Sequence, residues 1–469
     1  MSRDENLRVV HRRKPVKGIL LKIISFILGL SVSTGVIYVF TVGNTPVYIG
    51  YFFAALVFIG LLLKNPHRIV RVISAIDISV LVFFGLATLS FIPSFIYCLV
   101  GQVDINVPLT VLKGLIVLIA GLIVYIVTLS IRRYRKAIVY GVAFGIIINV
   151  VISIIAQIAF ESGTVFSLVS LFPQDAFAVS MKWGVSAPAH SHAIYVFRAQ
   201  GLFLEASHLM VFLVTWGLLC LRYVRYTFAK AVILIGICYI MAQSLSPNAA
   251  ILIVEGVLII LLSKSHNAGL KKKSSVRRTL PYATIFAILV LILIGGLACI
   301  RFSSIIAEAV DSVIDSFTDL DPMSSTDTGT LDRFNSMVST VSILPNYPFG
   351  AGWNTESLIL TSHFDGTVFA SHSFALRLLL ELGPLGLIAY CWVIMRHAKG
   401  AFHASQQGRV VGIAIVCMAM TQFMNGITLL PYVWVILGLS KDIELDKKVV
   451  RVKLSNVMYL KEGFKKCLK

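Results

Sequence analysis

Three short stretches of the chain carry residue types that could do chemistry. The first is Arg198-Ala199-Gln200-Gly201-Leu202-Phe203-Leu204-Glu205. A guanidinium offers a planar fork of donors and stays charged, which suits a diphosphate. The plainer reading is an interfacial arginine that snorkels toward headgroups. Glu205 comes two helical turns later, with His208 at i+3 on the same face. An acid inside a membrane helix is a functional suspect, although the dipole of a first helical turn also favours a carboxylate.

The second stretch pairs Asp332-Arg333-Phe334 with Pro348-Phe349-Gly350-Ala351-Gly352-Trp353. Gly350 and Gly352 permit positive φ and a close backbone approach, and amides exposed there could receive an anion. Arg333 either serves that anion or pairs with Asp332. The third is Ser371-His372-Ser373, where a polar loop meets an apolar helix. A histidine there is placed to take a proton from a substrate hydroxyl, with His363 as its competitor. Arg377 and Glu381 at i, i+4 read as partners of each other. Asp77 and Glu255, inside apolar segments, read as a polar pair or a proton path.

The elements that must position these groups are membrane helices. The chain of 469 residues is 57% hydrophobic and 13% charged, with a mean hydropathy of +0.88. Soluble domains carry roughly 25% charged residues, so about half the usual charge is missing. Several runs reach the ~20 apolar residues that a spanning helix needs. The reading is therefore an all-α, polytopic inner-membrane protein of about twelve spans, because only intra-segment hydrogen bonding satisfies a backbone in lipid. Spans are expected at about 18–40, 47–63, 73–95, 108–131, 137–160, 202–221, 229–243, 248–262, 281–300, 385–395, 410–423 and 427–439.

The net charge of +19 argues for orientation rather than for nucleic acid. Lys and Arg crowd into alternate short loops: Arg12-Arg13-Lys14, Arg132-Arg133, Lys271-Lys272-Lys273 and the tail after residue 440. That pattern places both termini in the cytoplasm. It divides the chain into spans over 1–300, a large partly helical periplasmic loop over 301–384, further spans over 385–440 and a basic cytoplasmic tail over 441–469. Within the loop, 303–317 and 333–344 are spaced for helices. The seven cysteines lie outside the large loop and show neither metal-ligand spacing nor a disulfide framework. The first apolar run lacks a cleavage site after it and reads as an uncleaved helix.

The order of these landmarks resembles the O-antigen polymerase and ligase superfamily, whose members include the Wzy-type polysaccharide polymerases. The matching features are Arg198-Ala199-Gln200-Gly201-Leu202-Phe203 with Glu205, then Gly350-Ala351-Gly352 through His372 to Glu381-Leu382-Gly383-Pro384-Leu385-Gly386. The family often has Asn after the loop histidine; Ser373 stands here instead. The resemblance implies a glycosyltransferase that moves a glycan from a polyprenyl diphosphate to a sugar hydroxyl, with neither metal nor cofactor. It implies Arg198 and Arg333 on the diphosphate, His372 or Glu205 as base, and Gly201, Gly350, Gly352, His208 and His363 in support. Its expected partners are a lipid-linked glycan, an acceptor glycan, membrane lipid, a flippase and a chain-length regulator. The leading expectation is a polymerase making O-antigen, capsule or exopolysaccharide; the rivals are a ligase acting on lipid A-core and a lipid-linked oligosaccharide flippase.

Overall fold

The computed structural model describes residues 15–162, 198–269, 328–425 and 429–444, apart from residues 36, 43–44, 204, 245, 247, 365–367 and 369. The expected span at 281–300 and the expected loop helix at 303–317 lie outside the described residues. What is described is mainly helix. In chain order these are α1 (Pro15–Ser31), β1 (Tyr38–Val42), β2 (Thr45–Tyr48), α2 (Ile49–Lys64), α3 (Pro66–Ile73), α4 (Ile78–Leu89), α5 (Phe91–Leu99), α6 (Asn106–Ser130), α7 (Arg135–Glu161), α8 (Ala206–Tyr223), α9 (Thr227–Ser244), α10 (Asn248–Gly269), α11 (Thr328–Ile343), α12 (Glu356–His363), α13 (Phe374–Phe402) and α14 (Gln406–Asn425). A last helix, α15, covers 431–444.

Seven helical segments among the described residues are long and apolar enough to cross a membrane, and α2 with α3, bent by 118°, forms an eighth candidate. Gly18–Ser31 and Asn248–Ile260 are shorter apolar helices. The chain is thus a multi-pass membrane protein. Its centre is α8, on which Leu209, Val211, Phe212, Leu213 and Val214 are all fully buried. A helix apolar on every side belongs in the middle of a bundle, and α8 packs against α7, α9, α10 and α14. Tyr432 of α15 completes this core, edge-on to Phe203 and Phe212 with centroids 6.4 and 5.5 Å away.

Three elements differ from the sequence reading. The first expected helix, 18–40, ends at Ser31 and gives way to an antiparallel hairpin that pairs Tyr38 with Tyr48 and Val42 with Thr45. The run Val36-Ile37-Tyr38-Val39 is β-branched and aromatic, which favours strand once the helix stops. The third expected helix starts at Ile78 rather than near 73, because Asp77 caps it and accepts the Ser79 amide at 3.2 Å. The helix expected from Leu385 begins at Phe374, and Gly383-Pro384 lies within it as a kink.

Basic side chains gather at one end of the bundle, on the loops joining α2 to α4, α6 to α7, α8 to α9 and α13 to α14. At this basic end Asp77 does not pair with Glu255. Its Oδ2 accepts from Lys441 Nζ at 2.8 Å and faces Arg396 Nε at 3.4 Å, while Lys441 also reaches Glu444 at 3.1 Å. Beside them His397 Nδ1 meets the Val393 carbonyl at 2.9 Å and Nε2 meets the Tyr125 hydroxyl at 3.1 Å. A carbonyl can only accept, so Nδ1 carries the proton and Nε2 accepts from Tyr125. Glu255, fully buried on α10, has no hydrogen-bond partner for either oxygen among the described residues.

Burial opposes the charge on Asp77, but the Lys441 hydrogen bond and charge outweigh it and hold the carboxyl well below the usual carboxylate range. A depressed folded-state pKa contributes stability that is present above the unfolded value of about 3.9 and is lost as pH falls through the folded one. Asp77→Asn is therefore expected to lower stability at pH 7 by about 3 kcal/mol. The gap to wild type should close progressively below about pH 4, as read by thermal unfolding in detergent at both pH values. A gap independent of pH contradicts the ion-pair account.

Candidate active site

The opposite end of the bundle holds the candidate residues, and its architecture starts from the kink in α13. Pro384 has no N–H, so the Leu380 carbonyl loses its helical donor. Gly383, at φ 67° and ψ −172°, turns the chain out of helix and releases Glu381 as well. Both carbonyls are recovered by the glycine turn between α11 and α12. The Ala351 amide donates to Leu380 at 2.7 Å, and the Gly352 amide donates to Glu381 at 2.9 Å. A side chain at Gly350 (φ 86°) would place its Cβ 2.5 Å from the Glu381 carbonyl oxygen. The Gly350 amide is likewise spent, on Tyr347 O at 2.9 Å. All three amides are therefore spent, two of them on the helix kink, rather than offered to an anion. Trp353 anchors the turn to the neighbouring spans, donating its amide to Ser90 Oγ at 2.9 Å and its indole N–H to Gly114 O at 3.2 Å.

Under the turn lies a buried ionic cluster. Arg377 Nε meets Glu381 Oε1 at 2.9 Å, the i, i+4 pair expected from spacing. It also faces Glu356 Oε2 at 3.7 Å, and its Nη2 donates to Asn354 Oδ1 at 3.1 Å. Glu356 Oε1 in turn accepts both the amide of Ser371, at 2.9 Å, and its hydroxyl. Glu356, Arg377 and Glu381 are all buried. Two carboxylates thus share one guanidinium, and Glu381 Oε2 has no hydrogen-bond partner among the described residues.

His372 sits between two anchored serines. Ser371 is tied to Glu356; Ser373 caps α13, accepting the Leu376 amide at 3.5 Å, and donates to the Phe423 carbonyl at 2.7 Å. Between them His372 takes φ 53°, a left-handed conformation that a non-glycine residue holds only when its surroundings impose it. The imidazole is half-buried. His363 is differently placed. It ends α12, is exposed, contacts Ile359 O through Nδ1 at 3.1 Å, and lies edge-on to Tyr347 at 5.8 Å.

The Arg198 stretch is a turn leading into α8. Arg198 Nε donates to Ser244 O at 3.0 Å and the Ala199 amide donates to Gln243 O at 3.0 Å, both at the end of α9. Gly201 has φ 54°, and a Cβ there would strike the Asn149 side chain. That asparagine, fully buried on α7, accepts the Leu202 amide at 2.6 Å and donates to Ser33 O at 3.0 Å and Gly145 O at 2.8 Å. It thereby ties the Arg198 turn to the chain just past α1. Glu205 occupies the position before α8, exposed, and accepts the Ser207 hydroxyl at 2.9 Å. It belongs to the helix mouth rather than to the apolar interior. His208, half-buried, is on the first turn beyond it.

Polar contacts join the two halves. Ser244, the acceptor from Arg198, ends α9, and Asn248 begins α10. Asn248 Oδ1 accepts from Asn425 Nδ2 at 2.9 Å at the end of α14, and Phe423 in the same turn holds Ser373 beside His372. Arg198, Glu205, His208 and His372 accordingly lie at one end of the bundle. Arg333 is on α11, which packs against α13; its side chain is outside the described residues. Glu356 and Asn149 were missed by the sequence reading. Neither has a local signal for its role, since the tertiary partners of Glu356 lie 15–25 positions away and those of Asn149 lie 53–116 away. Among the described residues no group of three or more His, Cys, Asp or Glu side chains is placed to hold a metal ion.

Residues 230–391 match a family model described as O-antigen ligase. The match runs from α9 to the α13 segment just beyond the kink, so it includes the glycine turn, the ionic cluster and His372. No curated protein matches the chain.

Removing one partner from a buried ion cluster strands the others, at a cost of about 3–5 kcal/mol. Arg377→Ala leaves two buried carboxylates without their cation and is expected to abolish folded protein in the membrane. Arg377→Lys keeps the charge but loses the fork that reaches Asn354 and Glu381 together, and should be recovered with a lower unfolding temperature. Size-exclusion recovery and thermal unfolding in detergent separate the two. Wild-type behaviour of Arg377→Ala contradicts the cluster's role.

Proposed function

The chain belongs, through residues 230–391, to the O-antigen ligase and polymerase superfamily, and from that premise we propose that it is a membrane glycosyltransferase. In this reading it moves a glycan from a polyprenyl diphosphate to a hydroxyl of an acceptor sugar, the acceptor being another lipid-linked unit. The observation that supports the proposal is the hydrogen bond between Asn248 at the start of α10 and Asn425 at the end of α14, which sets the end of α9 that holds Arg198 and the end of α14 that holds Ser373 beside His372 at the same end of the bundle.

The acceptor hydroxyl oxygen attacks the anomeric carbon as the bond from that carbon to the diphosphate oxygen breaks. The electron pair leaves with the diphosphate, and Arg198 and Arg333 neutralise the charge that develops on it. Fixed positive groups do this without reorganising at the moment of reaction. His372 takes the hydroxyl proton. Its backbone, clamped on both sides by Ser371 and Ser373, supports this role over that of His363, which is exposed on another helix. Glu205 is the second candidate for base, being at the mouth of α8. The polyprenyl chain lies along the helices. The charge-rich opposite end faces the cytoplasm on the positive-inside rule, which puts this chemistry on the periplasmic face of the inner membrane. A flippase supplies the substrate there, and a chain-length regulator sets product size.

The family model's own description favours a second reading, a ligase that hands the finished glycan to lipid A-core. Incubating the purified protein with the lipid-linked repeat alone decides between them: longer glycan on the same lipid supports a polymerase, and product only after lipid A-core is added supports a ligase. Arg198→Ala and Arg333→Ala are expected to abolish transfer while the protein remains in the membrane. His372→Ala should lower the rate by about 10²–10⁴-fold. Full-length glycan from both arginine variants removes the diphosphate assignment, and undiminished turnover by His372→Ala moves the base to Glu205 or His363.

A further inference from the structure

The basic end carries a groove that the glycan chemistry does not use. It occupies about 990 Å³ between α1, α7 and α9. Its rim holds six cations, Lys22, Arg132, Arg133, Arg135, Lys136 and Arg225, and among the described residues no acid lines it. Arg135 pairs with Asp442 at 3.3 Å; Lys22, Arg132, Arg133, Lys136 and Arg225 are exposed. Deeper in, the wall turns apolar, with Phe26 on α1, Phe144 and Ile147 on α7, and Ile233 on α9. Phe144 is 47% exposed, so this wall is open to a ligand from the side of the bundle.

Five exposed cations around one opening repel one another. An anion held at the rim relieves that repulsion, and several arginines together offer bidentate sites for phosphate oxygens. The apolar wall adds a second requirement. From Arg135 to Ile147 α7 rises by about 18 Å, compared with a hydrocarbon half-thickness of about 15 Å. A ligand that fits both parts has a phosphate at one end and acyl chain at the other. Nor would the N-terminal residues suit the rim, since 1–14 carry Arg3, Arg8, Arg12, Arg13 and Lys14 against only Asp4 and Glu5.

We infer that the groove between α1, α7 and α9 is a binding site for an acidic phospholipid of the leaflet at the basic end. Its headgroup phosphate sits among Arg132, Arg133 and Arg225, and one acyl chain lies along Phe26, Phe144 and Ile147. Basic pockets between membrane helices select anionic headgroups in this way. The bound lipid fills the seam between α1 and α9 on either side of α7, whose Asn149 supports the Arg198 turn at the other end.

The test titrates the delipidated full-length protein in detergent with phosphatidylglycerol or with phosphatidylcholine of the same acyl chains, reading bound lipid by native mass spectrometry. Wild type is expected to retain phosphatidylglycerol about tenfold better. R132Q/R133Q/R225Q should lose that preference, whereas K399Q, an exposed cation at the same end but outside the groove, should keep it. Ala229→Trp fills the apolar wall while leaving every cation in place, and it should lower phosphatidylglycerol retention on its own; it decides the matter if the triple variant is not recovered. Equal retention of the two lipids, an unchanged preference in the triple variant, or equal loss in K399Q overturns the inference. So does unimpaired binding by Ala229→Trp, or displacement of the lipid by millimolar inorganic phosphate alone, since either result means the acyl chain contributes nothing.

Discussion

A proline without an N–H, placed inside a membrane helix, sets the constraint around which the candidate site is arranged. Water is not at hand in a bundle interior to satisfy a released carbonyl, so the protein must supply donors from elsewhere. Pro384 and Gly383 release the carbonyls of Leu380 and Glu381, and the amides of Ala351 and Gly352 take them. That exchange explains the glycine turn, because only a residue without Cβ at Gly350 lets the two backbones approach closely enough. It also fixes the position of Glu356, three residues after Trp353, and with it the clamp on Ser371 beside His372. The kink thus draws the glycine turn and Glu356 into one side of the site.

The polar interior divides into two layers with different jobs. At the basic end, Asp77, Lys441, Arg396 and Glu444 lock the last helix to α4 and α13. At the other end, Glu356, Arg377 and Glu381 hold a strained loop in place while leaving His372 half-buried. Both clusters contain more charges than one simple pair, and in each the arginine or lysine serves two acids or the acid serves two cations. Such clusters do little for net stability compared with apolar packing, but removing one member leaves the others buried without their partner. Between them the core around α8 is mainly apolar and aromatic, with Phe212 against Tyr432 of α15.

Much of this was legible from residues alone. The boundaries of α6, α7, α9 and α14 fall within a few residues of the apolar runs, because a membrane helix must be apolar for most of its length. The Arg377–Glu381 pair was legible for the same local reason, being one helical turn apart. The end of α1 was not, since Gly18 to Phe40 is apolar throughout and hydropathy does not distinguish a helix from a hairpin. Nor was the true start of α13, because Gly383-Pro384 reads locally as a break, and only the turn that plugs it allows helix on both sides.

From its sequence the protein is a multi-pass membrane chain with one basic end and with arginine, histidine and paired-charge residues set aside for the other. Those properties follow from transfer free energies and from helical periodicity, which act within a few residues. Tertiary structure decided which polar groups meet: that the glycine amides serve a helix kink rather than an anion, that Glu356 joins Arg377, that Asp77 finds Lys441 instead of Glu255, and that Asn149 and Asn425 bring the Arg198 turn and His372 to one end. Such contacts join residues up to 364 positions apart. No local preference encodes them, and they exist only where the packing of apolar helices has already closed the distance.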